Sequence, residues 1–258
     1  MHEVKSKDGT TIAFDRFGAG PAVVLVSGGS VDRSSNAPLA EQLAPDFTVY
    51  NYDRRGRGPS GDTPPYAVQR EVEDIEAVIT AAGGSAALYG SSSGAALALE
   101  AAASGVPITK LALWEPPFFL DASLRPPADT ARTYTELVEA GRRGDAVEYF
   151  MAKVVGLPAE FVAQARSSPW WPAQEALAHT LAYDATIMDD YSLPSERAAA
   201  VTAPTLVLAG GASFPWMTDM AQALAKVIPD ARTRILEGQT HDVDAAVLGP
   251  VLRKFFSG

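Results

Sequence analysis

Short apolar runs alternate along the chain with longer segments that place apolar residues at helical spacing. Residues 23–26 read Val-Val-Leu-Val and are followed by Ser-Gly-Gly, which is typical of a buried strand ending in a tight turn. Similar runs predict further strands at residues 47–53, 86–89, 111–114, 205–208 and 233–236. Because these runs alternate with helical patterns, we expect an α/β fold with a mostly parallel central sheet and helices on both faces.

Helical patterns fill the spaces between most of these runs. Apolar residues recur at helical spacing from Val68 to Ile79, and further helices are expected at 95–103 and 243–256. The opening segment differs, because residues 3–6 and 10–17 flank Lys-Asp-Gly, a hairpin pattern. An antiparallel edge to the sheet is therefore predicted.

The alternation stops between residues 116 and 203. This segment holds no strand-like run, and helix-like stretches at 130–143, 145–155 and 173–183 are separated by Pro and Gly. We predict a core domain formed by residues 1–115 and 204–258, into which a helical cap of residues 116–203 is inserted.

The composition excludes several classes of protein. With 47% hydrophobic and 20% charged residues the chain is an ordinary globular sequence, and its net charge of −10 disfavours a nucleic-acid partner. There is no cysteine and there are only three histidines, so a metal site is not expected. No apolar run approaches the roughly 20 residues of a membrane span, and the N-terminus lacks a signal-peptide pattern. We expect a cytoplasmic protein; its oligomeric state cannot be inferred.

The main chemical motif is Gly-Ser-Ser-Ser-Gly at residues 90–94, centred on Ser92. It lies between a predicted strand and a predicted helix, where a sharp turn would expose the serine at the carboxyl edge of the sheet. Glycines two residues before and after the serine suit a bend that leaves no room for side chains. We predict that Ser92 is a nucleophile.

A serine nucleophile needs a base to accept its proton. His2 lies at the terminus and His179 in a helix-like stretch, whereas His241 lies between the last predicted strand and the last predicted helix. We therefore predict that His241 is the base.

Together these motifs resemble the α/β-hydrolase family over nearly the whole chain, in its serine esterase and haloperoxidase-like branch. The matching segments are Ser-Gly-Gly at 27–29, Asp-Arg-Arg-Gly-Arg-Gly-Pro-Ser at 53–60, the turn at Ser92 and Gly-Gln-Thr-His at 238–241. The resemblance implies an oxyanion hole formed by the backbone N–H groups of Gly29 and Ser93. The family's usual His-Gly after the first parallel strand is Ser-Gly here.

The sequence departs from the family at the acid of the catalytic triad. Ser213 stands where the family usually has an aspartate after the strand that follows the cap. Some members take the acid from the preceding strand, which here ends at Glu115. We predict Glu115 as the acid, with Asp242, Asp244 or no acid at all as alternatives.

Aromatic residues around these motifs are candidates for an apolar pocket under the cap. They are Trp114, Phe118, Trp170, Trp171 and Trp216.

We expect hydrolysis of a small ester, thioester or lactone through an acyl-enzyme on Ser92, with no cofactor. A C–C hydrolase or cofactor-free perhydrolase would use the same triad. Epoxide hydrolysis and haloalkane dehalogenation are disfavoured, because within this family both use a carboxylate nucleophile. A different class is a non-catalytic small-molecule binder on the same fold, which the absence of an aspartate at 213 favours.

Overall fold

Eight strands form one sheet in the computed structural model, which describes residues 1–258. The strands are β1 (His2–Lys5), β2 (Thr11–Phe17), β3 (Ala22–Val26), β4 (Thr48–Tyr52), β5 (Ala86–Ser91), β6 (Ile108–Trp114), β7 (Thr205–Gly210) and β8 (Ala231–Leu236). Their order is β1-β2-β4-β3-β5-β6-β7-β8. Strands β1 and β2 pair antiparallel and β2 pairs antiparallel with β4, whereas all other pairs are parallel. The predicted sheet with its antiparallel edge is confirmed.

Helices cover both faces of the sheet, which is why central strands such as β3 and β5 are buried at consecutive positions. On one face pack α2 (Val68–Ala81), α3 (Ser93–Ala103) and α10 (Pro215–Val227), and on the other α1 (Ala37–Leu43) and α11 (Ala245–Ser257). Within β3, Val24 and Val26 belong to the apolar core beneath α2, α3 and α10. Val23 and Leu25 belong to the core on the other face, beneath α1 and α11. Neighbouring side chains therefore serve two separate cores, as the unbroken apolar run predicts.

The segment between β6 and β7 contains helices joined by loops, and no strand. It contains α4 (Thr130–Glu139), α5 (Arg143–Tyr149), α6 (Ala159–Arg166), α7 (Trp171–Leu177), α8 (Leu181–Met188) and α9 (Ser195–Ala199). A third apolar cluster, which includes Tyr134, Trp171 and Leu181, lies wholly within this insertion. The domain bounds given above remain a prediction.

Two of the predicted helical stretches in the insertion are not continuous α-helices, and the last helix begins later than predicted. The stretch 173–183 is divided into α7 and α8 by a 3-10 turn at Ala178–Thr180, and the stretch 145–155 changes to a π turn at Phe150–Val154. Helix α11 begins at Ala245 because the Asp244 carboxylate accepts the Ala246 N–H at 2.8 Å, a cap that ends the preceding loop. No helix has both the length and the apolar character that crossing a membrane requires.

Candidate active site

Ser92 occupies the sharp turn between β5 and α3. Its backbone has φ 56° and ψ −126°, a conformation that L residues rarely adopt, and its N–H donates to the Trp114 carbonyl at 2.8 Å. A side chain on Gly90 would overlap the Gly94 carbonyl, and one on Gly94 would overlap the Ser27 carbonyl. The two glycines of the motif are thus required by close backbone packing on either side of the serine.

His241 and Glu115 meet at the carboxyl edge of the sheet, although they are far apart in sequence. The imidazole Nδ1 lies 2.6 Å from Glu115 Oε2, and the other carboxylate oxygen accepts the Gly210 N–H at 2.7 Å. The Glu115 side chain is fully buried, whereas that of His241 is 45% exposed. A buried carboxylate facing Nδ1 holds the proton on that nitrogen and leaves Nε2 free to accept another.

Backbone contacts hold this pair in place. The Glu115 N–H donates to the Leu208 carbonyl at 3.0 Å, which extends the β6–β7 register by one residue. Glu115 itself has φ 43°, in the left-handed region. The indole N–H of Trp114 donates to the His241 carbonyl at 3.0 Å and so ties the histidine loop to β6.

The other candidate acids do not contact the imidazole. Ser213 is close to Gly210, but its buried hydroxyl has no hydrogen-bond partner. Asp242 is exposed, and Asp244 caps helix α11. Glu115 is therefore the carboxylate that the fold brings to His241.

Gly29 and Ser93 line the same cavity as Ser92. Ser93 is the first residue of α3, so its N–H has no partner within the helix and lies at the positive end of the helix dipole. A Cβ on Gly29 would come within 3.1 Å of an Asp184 oxygen. A side chain there would therefore press against the Asp184 carboxylate.

A cavity of about 710 Å³ contains Ser92, His241, Gly29 and Ser93 in its wall. Much of the rest of the wall is apolar and comes from the insertion and from the start of α10. Its acidic residues are Asp184, Asp242 and Asp244, and neither lysine nor arginine lines it. The wall therefore disfavours an anionic ligand.

Of the five aromatic residues expected around a pocket, Trp216 lines this cavity and packs against Phe119 with ring centroids 4.2 Å apart and the rings tilted by 31°. Trp114 and Phe118 are buried in the core beside it. Trp171 is buried in the cluster of the insertion, and Trp170 is exposed beside it. These four residues do not line the cavity. The prediction was wrong for them because the sequence does not show which face of an element a side chain occupies.

A buried ionic cluster next to the oxyanion candidates was not expected from the sequence. Arg54 and Arg57 are 0% and 1% exposed, and both donate to Asp184 on α8. Burial opposes the charged form of Asp184, but the neighbouring Arg57 and Arg54 guanidinium groups outweigh it and hold its pKa below the ordinary value. The available signal was the density of arginines directly after a buried strand, since buried cations need partners.

Comparisons with known proteins agree with this architecture. Residues 23–248 match the model of the alpha/beta hydrolase family. The crystal structure of an alpha/beta hydrolase from Sphaerobacter thermophilus is 55% identical, with a TM-score of 0.92, and the match covers 99% of this chain and 100% of that one. A thermophilic esterase from Thermogutta terrifontis, at 22% identity and a TM-score of 0.78 over 99% and 97% of the two chains, shares the fold.

A curated relative is the pimeloyl-[acyl-carrier protein] methyl ester esterase of Xanthomonas campestris, which is 39% identical over 100 residues. That match spans only 38% of this chain and 38% of the relative. The family model, in contrast, spans most of the sequence and includes Ser92, Glu115 and His241. The chain belongs to the α/β hydrolase family.

Proposed function

We propose that this protein is a serine hydrolase that cleaves small, uncharged esters through an acyl-enzyme on Ser92. The observation that carries the proposal is the 2.6 Å contact of His241 with the buried Glu115, in a cavity that also exposes Ser92. The names of the relatives support esters, since a methyl ester esterase and an esterase are among them.

In the proposed reaction, Glu115 holds the proton on His241 Nδ1, and Nε2 takes the proton of the Ser92 hydroxyl as its oxygen attacks the ester carbonyl. The N–H groups of Gly29 and Ser93 stabilise the oxyanion, and each such donor contributes about 3 kcal/mol to the transition state. His241 then protonates the departing alkoxide. In the second half, His241 takes a proton from water as the water oxygen attacks the acyl carbon. The bond to the Ser92 oxygen then breaks, the carboxylic acid leaves, and His241 returns the proton to Ser92.

The walls of the cavity support an uncharged substrate. A carboxylate on the substrate would meet Asp242 and Asp244, with no cation of the wall to pair with it. Two unit charges a few Å apart repel by about 1 kcal/mol or more even in a high dielectric, which corresponds to at least about fivefold in binding. Aromatic and aliphatic side chains would instead bury an apolar acyl or alkoxy group.

The alternative of a non-catalytic binder loses its main support. It rested on the serine at position 213, which left His241 without an acid in the usual place. Since Glu115 contacts the imidazole, that serine no longer argues against catalysis.

Labelling by a fluorophosphonate tests the proposal. We expect wild type to be labelled once, Ser92→Ala not to be labelled, and His241→Ala to be labelled much more slowly. Ser91→Ala is the matched control, because it removes a neighbouring hydroxyl and is expected to label as wild type does. A folded wild-type protein that resists labelling would contradict the proposal.

Substrate charge is tested with p-nitrophenyl valerate and mono-p-nitrophenyl glutarate, which match in chain length and differ by a carboxylate. We expect kcat/KM to favour the neutral ester by roughly fivefold or more, and to do so less at high salt. Asp242→Asn should bring the kcat/KM values of the two esters closer together, because it removes one of the carboxylates that repel the charged ester. Equal values for the two esters would refute the proposed charge selection.

A further inference from the structure

The Asp184 carboxylate links the helical insertion to both sides of the candidate oxyanion hole. Its Oδ1 accepts from Arg54 Nη1 at 2.7 Å, from Arg57 Nη2 at 2.8 Å and from the Ser93 hydroxyl at 2.8 Å. Its Oδ2 accepts from Arg57 at 2.9 Å. One side chain of α8 thus contacts three residues of the core next to Ser92.

Arg57 carries this contact to the other side of the hole. Its Nη2 is bound to Asp184, while its Nη1 donates to the Gly28 carbonyl and, at 3.1 Å, to the Val31 carbonyl. The planar guanidinium fixes these directions relative to one another. Arg57 therefore connects Asp184 with the loop that contains Gly29.

The contact with Gly28 determines the direction of the Gly29 N–H. The carbonyl of Gly28 and the N–H of Gly29 belong to the same peptide group, which is planar, and in a trans peptide they point in opposite directions. A donor that holds the carbonyl therefore also orients the N–H. Because hydrogen bonds in a chain polarise one another, it also makes that N–H a stronger donor.

The helix that supplies Asp184 is firmly seated on the core. Tyr183 stacks on Tyr66 with ring centroids 4.0 Å apart and an angle of 2° between the rings, and the Tyr183 hydroxyl donates to Asp62 at 2.7 Å.

Arg54, the other arginine bound to Asp184, is also held by both oxygens of Glu71, at 2.7 and 2.8 Å. Two guanidinium groups and two carboxylates thus balance in charge next to the reacting centre.

We infer that Asp184 and Arg57 are positioning residues, through which the insertion completes the oxyanion hole of the core. Seating of α8 orients the Gly29 N–H through Arg57, and it holds the first turn of α3 through the Ser93 hydroxyl. The inference rests on the proposed serine-hydrolase function.

The experiment compares Asp184→Asn, Arg57→Gln and their double variant in steady-state hydrolysis of p-nitrophenyl valerate. We expect each single variant to lower kcat by roughly 10–100-fold, less than or equal to the loss of a whole oxyanion donor, with KM changed by less than about threefold. If Asp184 acts through Arg57, the double variant is no slower than the slower single variant. Fluorophosphonate labelling of Ser92 should slow in parallel, because its phosphoryl oxygen occupies the same hole.

Asp74→Asn is the matched control. Asp74 is also a buried partner of an arginine in the same turn, since both of its oxygens accept from Arg55 at 2.8 Å, but this pair does not touch Gly28 or Ser93. We expect Asp74→Asn to lower the melting temperature and to keep kcat within about threefold of wild type. Should Asp184→Asn fail to fold, Arg57→Lys keeps a positive charge beside Asp184 but cannot bridge it to Gly28, and it should lower kcat in the same way.

Unchanged kcat in folded Asp184→Asn or Arg57→Lys, or multiplied losses in the double variant, would overturn the inference and leave the proposed function intact. A wild type that neither hydrolyses esters nor reacts with fluorophosphonate would overturn both.

Discussion

Replacing Glu115 with glutamine keeps the shape of the side chain and exchanges one carboxylate oxygen for an NH₂ group. In wild type, one oxygen accepts the Gly210 N–H at 2.7 Å and the other lies 2.6 Å from His241 Nδ1. The Gly210 N–H can only donate, so it retains the amide oxygen of the glutamine and turns the NH₂ group toward Nδ1. A donor at Nδ1 favours the imidazole tautomer whose proton is on Nε2, which cannot accept the proton of Ser92.

The size of the loss in kcat depends on how strongly the fold disfavours the flipped orientation of the glutamine amide. Turning its oxygen toward His241 would set the NH₂ group against the Gly210 N–H, and a buried donor without an acceptor costs about 1–3 kcal/mol. The variant also lacks the charge that stabilises the imidazolium. Since the wrong tautomer in a serine-protease triad lowers turnover about 10⁴-fold, we expect Glu115→Gln to lower kcat by roughly 10²–10⁴-fold.

The measurement is stopped-flow acylation with a p-nitrophenyl ester, with circular dichroism to show that the variant is folded. Ser213→Ala is the control, because it alters the position where the family usually carries the acid and removes a hydroxyl that has no partner. It is expected to keep kcat within about threefold of wild type. A folded Glu115→Gln that loses less than about tenfold, or a Ser213→Ala that loses as much, would refute the reasoning.

Three further predictions concern the cavity, the turn and pH. Trp216→Ala removes part of the apolar wall and so loses about 1–3 kcal/mol of burial of the substrate. It should raise KM for valerate esters roughly tenfold and leave kcat nearly unchanged. An unaltered KM would show that this side chain does not contact the substrate. Gly94→Ala forces a methyl group against the Ser27 carbonyl and should cost roughly 1–3 kcal/mol of stability and most of the activity, so a variant that melts like wild type contradicts the packing. Burial opposes the charge of Asp8, but hydrogen bonds, including one from Arg55, lower its pKa from 3.8 to about 2. Its carboxylate therefore stabilises the fold above about pH 4 and loses this effect as the pH falls toward 2. The deficit of Asp8→Asn in urea unfolding should shrink between about pH 6 and pH 3, and a constant deficit is the contrary result.

The positions of Ser92 and His241 could be predicted because their signals are local. Glycines around a serine between a strand and a helix have one backbone arrangement that needs them, and the structure shows the overlap that any side chain there would cause. Glu115 could be proposed because parallel strands end at the same edge of a sheet.

The ionic cluster could not be predicted, because its parts come from distant segments. Asp184 follows Arg57 by 127 positions and lies in a helix whose start was not evident from sequence, since the stretch 173–183 is interrupted by a 3-10 turn. Aromatic residues pose a related problem. Trp171 and Trp216 have equal apolar character in the sequence, but only the packing of the insertion decides which of them faces the cavity.

The position of the proposed acid, Glu115, directly after β6 changes what the loop after β7 is free to do. Where that loop must supply an aspartate to the catalytic histidine, most substitutions in the loop risk displacing the acid of the triad. Here Gly210 contributes only a backbone N–H, and Phe214 and Trp216 supply walls of the cavity. Evolution or a protein engineer can therefore vary residues 213–216 to accept new substrates without altering the proposed acid, which lies at the end of a different strand.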